Sequence, residues 1–435
     1  MAAAAAAGPP PYLEVAVGLA AAAAVGRAVL DLRQLAAISR PAPPPALAGE
    51  VCGEKYAKIR GYSLDKWRFG FLRRTYRLGE TLILLGSGAL PALWSAAGAA
   101  PGARGSDARR GATFAVLVGG GAAALELPWS CFRTFVLEQR HGFNNTTRAV
   151  FVADLLKRAA LALLLVPLLA AAAAAALRGG GPWAPLLLWA VGAAAAAAAA
   201  WAHPLLVAPL FNSFEPLPQC SLRGAVEQLA RRLHFPLAQV YRVDGSRRTA
   251  HSNAYIYGFG GCQRVVLSDT LLETCTEEEV AAVVAREFGH HLLRHGRAAF
   301  ALGQAGLLAQ AAIFAAVRGS PGLYESFGFY EAQPALVALL LSAILGAPLR
   351  QISRAARNLL SHRHELAADA FAVSLDYGDA LRSALLHLQD RSRGPLHADP
   401  LHSAACDASP PLTARLAAID GAVRGGAAGR HGKED

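Results

Sequence analysis

Seven long apolar segments constrain the fold of this chain more than any other feature of its sequence. Most are close to the ~20 residues that an α-helix needs to cross the hydrocarbon core of a bilayer. Because lipid offers the backbone no hydrogen-bond partners, such segments are expected to cross as helices. A signal peptide is a weaker interpretation of the first segment, since its start lacks basic residues and similar segments follow. The segments are residues 12–30, 81–99, 112–132, 159–177, 183–210, 298–317 and 335–349.

Composition and charge agree with a membrane protein. Of the 435 residues, 54% are hydrophobic and 17% are charged, which is too apolar for an ordinary soluble protein. The net charge is +11, and the basic residues are concentrated in loops beside the apolar segments. Their distribution predicts an exterior or lumenal N-terminus and a cytosolic C-terminus. Because anionic lipid and membrane topology account for basic residues in such loops, we expect membrane lipids as partners and no nucleic acid.

Two stretches, residues 211–297 and 351 to the end, are polar enough to lie outside the membrane. The first alternates helix and strand patterns, and the second contains helices. Six cysteines lie far apart without a C-x-x-C pair, which argues against a disulfide scaffold or a thiolate zinc site. Predicted helices cover 224–233, 359–375, 378–388 and 412–423, and predicted strands cover 238–244, 254–259 and 264–268.

The sequence "REFGH", residues 286–290, has the frame of the zinc-protease motif H-E-x-x-H. On a helix, positions 286 and 290 face the same way, and Glu287 stands one position round. Two histidines in this frame bind zinc from one face, and the glutamate takes a proton from the metal-bound water. Taken alone, an E-x-x-H helix is far more often an ordinary amphipathic helix.

A second segment changes this interpretation. The sequence "LSHRHELAADAFAVSL", residues 360–375, resembles a helix of the type 1 CAAX prenyl protease family, in which a glutamate and an aspartate four residues later complete a zinc site. Glu365 and Asp369 match this pattern. The resemblance spans roughly residues 50 to 420. It also includes "LEQRHGFNNTT" (137–147), "APLFNSFEPLP" (208–218), "GSRRTAHSNAYIYGF" (245–259) and "SFGFYEAQPAL" (326–336).

The resemblance implies a mainly α, polytopic membrane protein. About seven transmembrane helices enclose a water-filled chamber, and a metalloprotease domain containing a small β-sheet closes it on the cytosolic side. The implied divisions are an N-terminal membrane region with five spans (1–210), the first part of the metalloprotease domain (211–297), the sixth and seventh spans (298–350), its second part (351–425) and a disordered tail (426–435).

The family's functional residues transfer by position. His290 and Glu365 correspond to ligands of one zinc ion, and Glu287 corresponds to the general base. Asp369 corresponds to a proton donor or to a partner of the ligands.

Residues for substrate binding are implied in the same way. Asn253 and Ala254 correspond to a strand edge that pairs with the substrate backbone, and Arg363 corresponds to an arginine that can hold a substrate carboxylate. The implied substrates are the C-termini of prenylated CAAX proteins. The implied location is the endoplasmic reticulum or inner nuclear membrane, with the protease domain toward the cytosol.

Two positions depart from the family pattern. Arg286 stands where the first zinc-binding histidine is expected, and a guanidinium has no lone pair for a metal. Ser409 stands where a histidine precedes two prolines in the family. The predicted activity is a zinc metalloendopeptidase that removes C-terminal residues of prenylated proteins. The alternative is an impaired pseudoprotease that binds prenylated or stalled clients as a membrane chaperone or adaptor.

Other histidines near the motif offer substitutes. His291 and His295 are four residues apart and are expected to share a helical face, but Leu292 stands where a catalytic base would be, so a metal clip there is the weaker alternative. His364 is more simply a solvated histidine or a partner of the site. A further hypothesis is that Arg286 replaces the metal electrostatically by neutralising Glu287 and Glu365.

Overall fold

The protein is described by a computed structural model that covers residues 11–103, 105–259, 261–330 and 333–431. Helix dominates, and one small sheet lies in the C-terminal half. The helices are α1 (Tyr12–Ile38), α2 (Gly53–Gly86), α3 (Ala89–Ala99), α4 (Asp107–Phe132), α5 (Arg148–Gly179), α6 (Ala184–Ala202), α7 (Ala208–Phe211), α8 (Ser221–Arg232), α9 (Asp269–Thr274), α10 (Glu277–Leu292), α11 (His295–Val317), α12 (Pro321–Ser326), α13 (Ala335–Leu345), α14 (Ala347–Ser374), α15 (Gly378–Ser392), α16 (Pro400–Cys406) and α17 (Leu412–His431). The strands are β1 (Phe214–Pro216), β2 (Leu237–Val243), β3 (Ala254–Phe259) and β4 (Cys262–Ser268).

Five helical segments of the described chain are long and apolar enough to cross a membrane. Their most apolar windows are only 6% to 17% buried within the protein, as expected of helices whose side chains face lipid. The spans Asp107–Glu138 and Gly181–Phe211 each contain a short π-helical stretch. The five are Tyr12–Ile38, Asp107–Glu138, Arg148–Gly179, Gly181–Phe211 and His295–Val317.

Two further predicted spans are bent. α2 and α3 meet at 67°, and α13 and α14 meet at 58°, so the described chain has up to seven spans if each pair counts as one. Gly88 precedes α3 with a φ of 70°, a conformation that glycine adopts without strain. Pro348 lies in the first turn of α14, where its missing N–H costs least. The segments 81–99 and 335–349 are therefore angled rather than straight.

The sheet has the strand order β1-β2-β4-β3. β2 runs parallel to β4, and the outer two strands are antiparallel to their neighbours. The three predicted strands correspond to β2, β3 and β4, whereas the short strand β1 was not predicted. β3 lies at one edge of this sheet, and α10 packs against it.

The largest core lies under α10. Its side chains Val284 and Phe288 are fully buried, and the ring of Phe288 stacks on Phe235 at 4.2 Å between centroids. Burying one such aliphatic or aromatic side chain stabilises a fold by about 1.5–3 kcal/mol. α17 extends to His431, into the tail predicted to be disordered, and residues 432–435 lie outside the described residues.

Candidate functional site

The first element of the site is α10, whose start is fixed by a capping box. The Thr276 side chain accepts from the amide of Glu279, and the Glu279 carboxylate accepts from the amide of Thr276. This satisfies two amides that a helix start leaves without partners. With the apolar face of α10 in the core, Glu287 and His290 lie on its other side.

The second element is α14, which crosses α10 at a very close approach. A Cβ on Gly289 would come within 2.9 Å of the Phe371 ring, closer than real Cβ contacts. Glycine at 289 therefore lets the two helices approach, and α14 brings Glu365 and Asp369 to Arg286.

The Arg286 guanidinium lies among three carboxylates. It donates hydrogen bonds to Glu287 and to Glu365, and its Nε lies 3.5 Å from Oδ1 of Asp369. The side chains of Arg286, Glu287 and Glu365 are 16%, 15% and 12% exposed, so these pairs are largely shielded from water. Charged pairs that share hydrogen bonds away from water are the strong ones.

A second arginine completes this network. Arg415 of α17 donates two hydrogen bonds to the Asp369 carboxylate, at 2.7 and 2.8 Å, and its Nη1 lies 3.8 Å from Glu365. Asp369 is 1% exposed. Arg415 was not predicted because the sequence motifs identify metal ligands. The signal for it is the Asp369 carboxylate, which needs a cation nearby because it is buried in the folded protein.

His290 lies at the edge of the ion-pair network. Its Nε2 is 3.5 Å from Oε1 of Glu365, and its Nδ1 is 3.0 Å from Nδ1 of His295. Burial, together with the Arg286 charge, lowers the pKa of His290 to about 4, so its ring is neutral at pH 7. The ring of His295 in turn stacks on His364 at 3.9 Å.

The expectation that His291 and His295 share one helical face is wrong. α10 ends at Leu292, and Arg294 has a φ of 58°, so the chain turns before His295. His295 therefore faces His290, whereas His291 packs edge-on against Phe235.

Glu287 has the electrostatics of a group that can exchange a proton. Burial raises the pKa of Glu287 above its ordinary value, the Arg286 charge opposes this rise, and the Glu365 carboxylate adds to it.

The remaining predicted residues lie outside the ion-pair network. Asn253 is exposed beside the start of β3, where its backbone amide donates to the Ser268 hydroxyl, and Ala254 is the first residue of that strand. Arg363 is exposed on α14. Ser409 is exposed in the turn between α16 and α17.

The side chains at this site do not match the ligand set of a zinc ion. Catalytic zinc sites have three protein ligands, and among the described residues no group of three or more His, Cys, Asp or Glu side chains is arranged to hold a metal. The Arg286 guanidinium binds both candidate carboxylates and offers no lone pair. The residues present do not fit a zinc ion in this arrangement.

A cavity of about 790 Å³ lies beside β3. It is lined by α5 residues including Arg158, by the helical segment from His203 to Phe211, and by Tyr255 and Tyr257 of β3. The volume of this cavity is within the range of ligand pockets. The cavity lies between the membrane helices and the edge strand β3.

Comparisons with known proteins cover almost the whole chain. Residues 33–213 match the family described as CAAX prenyl protease N-terminal, five membrane helices, and residues 216–423 match peptidase family M48. The chain is 39% identical to the CAAX prenyl protease 1 homolog of Arabidopsis thaliana, covering 94% of this chain and 98% of that protein. It is 31% identical to the human CAAX prenyl protease 1 homolog, covering 86% and 88%.

A solved structure has the same fold. The crystal structure of S. mikatae Ste24p superposes with a TM-score of 0.90 at 28% identity, covering 95% of this chain and all of that one. The match confirms the predicted mainly helical membrane fold with a small sheet. These comparisons support the predicted CAAX protease and give no support to the predicted adaptor.

Proposed function

The chain belongs to the CAAX prenyl protease 1 family, and on that premise we propose that it acts on the C-termini of prenylated CAAX proteins at the membrane. It is an integral multi-pass membrane protein of peptidase family M48. One observation carries the proposal: Glu287 and His290 of α10 meet Glu365 of α14 through one ion-pair network, and α10 packs against β3, an edge strand with a cavity against it. A peptide seated there would have both a strand to pair with and an acid–base group within reach.

The substrate backbone would bind by adding a strand to β3. Main-chain hydrogen bonds at an open sheet edge give affinity without demanding particular side chains. Asn253 and Ala254 would begin this pairing, and the exposed Arg363 would hold the terminal carboxylate as a charge-assisted partner. The prenyl group would lie toward the membrane helices that line the cavity.

In the family reaction, zinc is the typical metal and would supply Lewis-acid chemistry. Glu287 would act as the base, and the raised pKa of its carboxyl suits a group that takes up and returns a proton. His290 and Glu365 would be the ligand positions, and Asp369 would act as their buried partner, paired with Arg415. Because the Arg286 guanidinium binds Glu287 and Glu365, these residues do not fit zinc as arranged.

We propose the same domain boundaries and membrane orientation as the sequence predicts. Residues 1–210 form the membrane region, 211–297 and 351–425 form the peptidase domain, and 298–350 form the last two spans. The basic loops favour an orientation with the peptidase domain toward the cytosol. The membrane proposed is the endoplasmic reticulum or inner nuclear membrane.

Recognition without cleavage is a second candidate function. A specific observation favours it: the Arg286 guanidinium binds the two carboxylates that hydrolysis would use. Family membership favours cleavage. The two candidate functions differ in whether a bound peptide is cut, which can be measured.

The test uses the purified full-length chain in nanodiscs with a fluorescent farnesylated CAAX peptide and its unprenylated twin. Fluorescence anisotropy measures binding, and mass spectrometry measures release of the terminal residues. Preferential binding of the farnesylated peptide supports the proposed function. Cleavage that is lost in Glu287→Gln supports a protease, and binding without cleavage supports the second candidate. Equal or absent binding of both peptides would refute the proposed clients.

A further inference from the structure

The position of Arg286 differs from that of an ordinary salt-bridged arginine. Its two terminal nitrogens bind carboxylates from different helices, Glu287 of α10 and Glu365 of α14. Its Nε approaches a third carboxylate, Asp369, at 3.5 Å. One cation therefore bridges the two helices at the place where the H-E-x-x-H frame would put a metal.

The formal charges of the network show what this cation does. Glu287, Glu365 and Asp369 carry three negative charges, and Arg286 and Arg415 carry two positive ones, which leaves one negative charge. With a neutral histidine at position 286, two negative charges would remain, which a dication would cancel. In the chain as it is, a dication would leave an excess positive charge beside a guanidinium that cannot lose its proton.

The available ligand atoms also argue against a bound zinc ion. His290 is the one histidine in this frame, and its ring nitrogens are already faced, Nδ1 by His295 and Nε2 by Glu365 at 3.5 Å. Beside it, the Glu365 carboxylate is already engaged by Arg286 and approached by Arg415. In the described part of the chain, this set falls short of the three ligands of a catalytic zinc site.

We propose that the Arg286 guanidinium is a built-in counter-ion that takes the electrostatic place of a metal ion and joins α10 to α14. The chain therefore keeps this site assembled without bound zinc. The inference concerns the resting protein and does not depend on which peptide binds, so its failure and the failure of the proposed clients are separable.

The experiment measures metal content and thermal stability of the full-length protein in detergent, without any peptide. Zinc per chain is read by plasma mass spectrometry after purification in metal-free buffer and after zinc is added. Melting temperature is read with and without a chelator. The variants are Arg286→His, Arg286→Met and, as a matched control, Arg357→His, which makes the same change at an exposed position of α14.

We expect the wild type and Arg357→His to carry almost no zinc and to melt at the same temperature with or without the chelator. Arg286→His should bind about one zinc per chain, at least ~100-fold more tightly than wild type, since even the loss of a ligand's supporting partner costs 10–100-fold. Its melting temperature should fall when the metal is removed.

Arg286→Met provides a second test should the histidine variant fail to fold. Without the cation, the carboxylates repel, so this variant should melt well below wild type even though its side chain has a similar length. The proposal is overturned if wild type holds one zinc per chain and loses stability with the chelator. It is also overturned if Arg286→Met is as stable as wild type, or if folded Arg286→His binds no more zinc than Arg357→His.

Discussion

Removing the guanidinium of Arg415 tests how the site is held together. Asp369 is 1% exposed, and both of its oxygens accept hydrogen bonds from Arg415, at 2.7 and 2.8 Å. In Arg415→Ala, this buried carboxylate would keep one cation nearby, the Nε of Arg286 at 3.5 Å. A buried charge that loses its main partner destabilises the folded state far more than an exposed one.

The magnitude follows from this geometry. Breaking a buried ion pair by removing one partner costs about 3–5 kcal/mol, and because Arg286 still faces Asp369, we expect the lower end, ~3 kcal/mol. In a domain of about 150–250 residues, each kcal/mol lowers the melting temperature by ~2–4 °C. Arg415→Ala should therefore melt roughly 6–12 °C below wild type.

The assay is thermal unfolding in detergent, followed by intrinsic fluorescence. Arg424→Ala, an exposed position on the same helix, should stay within ~0.5 kcal/mol of wild type. Adding Asp369→Asn to Arg415→Ala should recover at least half of the loss, since the charge left without its partner is then gone. A melting temperature unchanged in Arg415→Ala, or no recovery in the double variant, would show that the buried charge is not what Arg415 balances.

Three further predictions concern the surroundings of the site. Gly289→Ala should lower the free energy of unfolding by about 1–3 kcal/mol because its Cβ meets Phe371 at 2.9 Å. Gly296→Ala, where a Cβ meets open space, should not destabilise the protein. Equal melting temperatures for the two variants would contradict the close helix approach. Burial would raise the pKa of Glu279, but hydrogen bonds from Ser383, Thr276 and His387 outweigh it and lower that pKa below its ordinary 4.5. The ionised carboxylate therefore stabilises the fold above pH 4.5. This stabilisation is lost as pH falls through the lowered pKa. Glu279→Gln should therefore melt below wild type at pH 7 with a gap that narrows in acid, and a gap independent of pH would refute the assignment. Burial raises the pKa of Cys275 to about 11, so at pH 8 iodoacetamide should label exposed Cys52, Cys220 and Cys262 well before Cys275, and equal labelling rates would contradict its burial.

Much of the fold could be predicted because its signals are local. Apolar segments of about 20 residues locate membrane helices, and the aromatic and β-branched run at residues 254–259 located β3 as the structure has it. The bends at Gly88 and Gly346 were missed because hydropathy does not record chain direction. β1 was missed because three residues form a strand only when β2 supplies its hydrogen bonds.

The sequence identifies the α10 and α14 residues of the network, whereas Arg415 and the contacts between these residues were not predicted. The E-x-x-H frame and the helix with Glu365 and Asp369 identify the residues that meet, since helical spacing puts each set on one face. The turn at Arg294 was not foreseen, and it sends His295 to His290 instead of leaving it beside His291.

The sequence by itself determined that this chain crosses a membrane many times and carries the helices of a CAAX prenyl protease, because length, hydropathy and motif spacing are properties of contiguous residues. Only the tertiary structure decided what neutralises the three carboxylates. Arg286 is next to Glu287 in the chain, but Glu365 and Arg415 lie 79 and 129 positions from Arg286. Their charges interact because α10, α14 and α17 pack together, and ion pairing depends on distance through space.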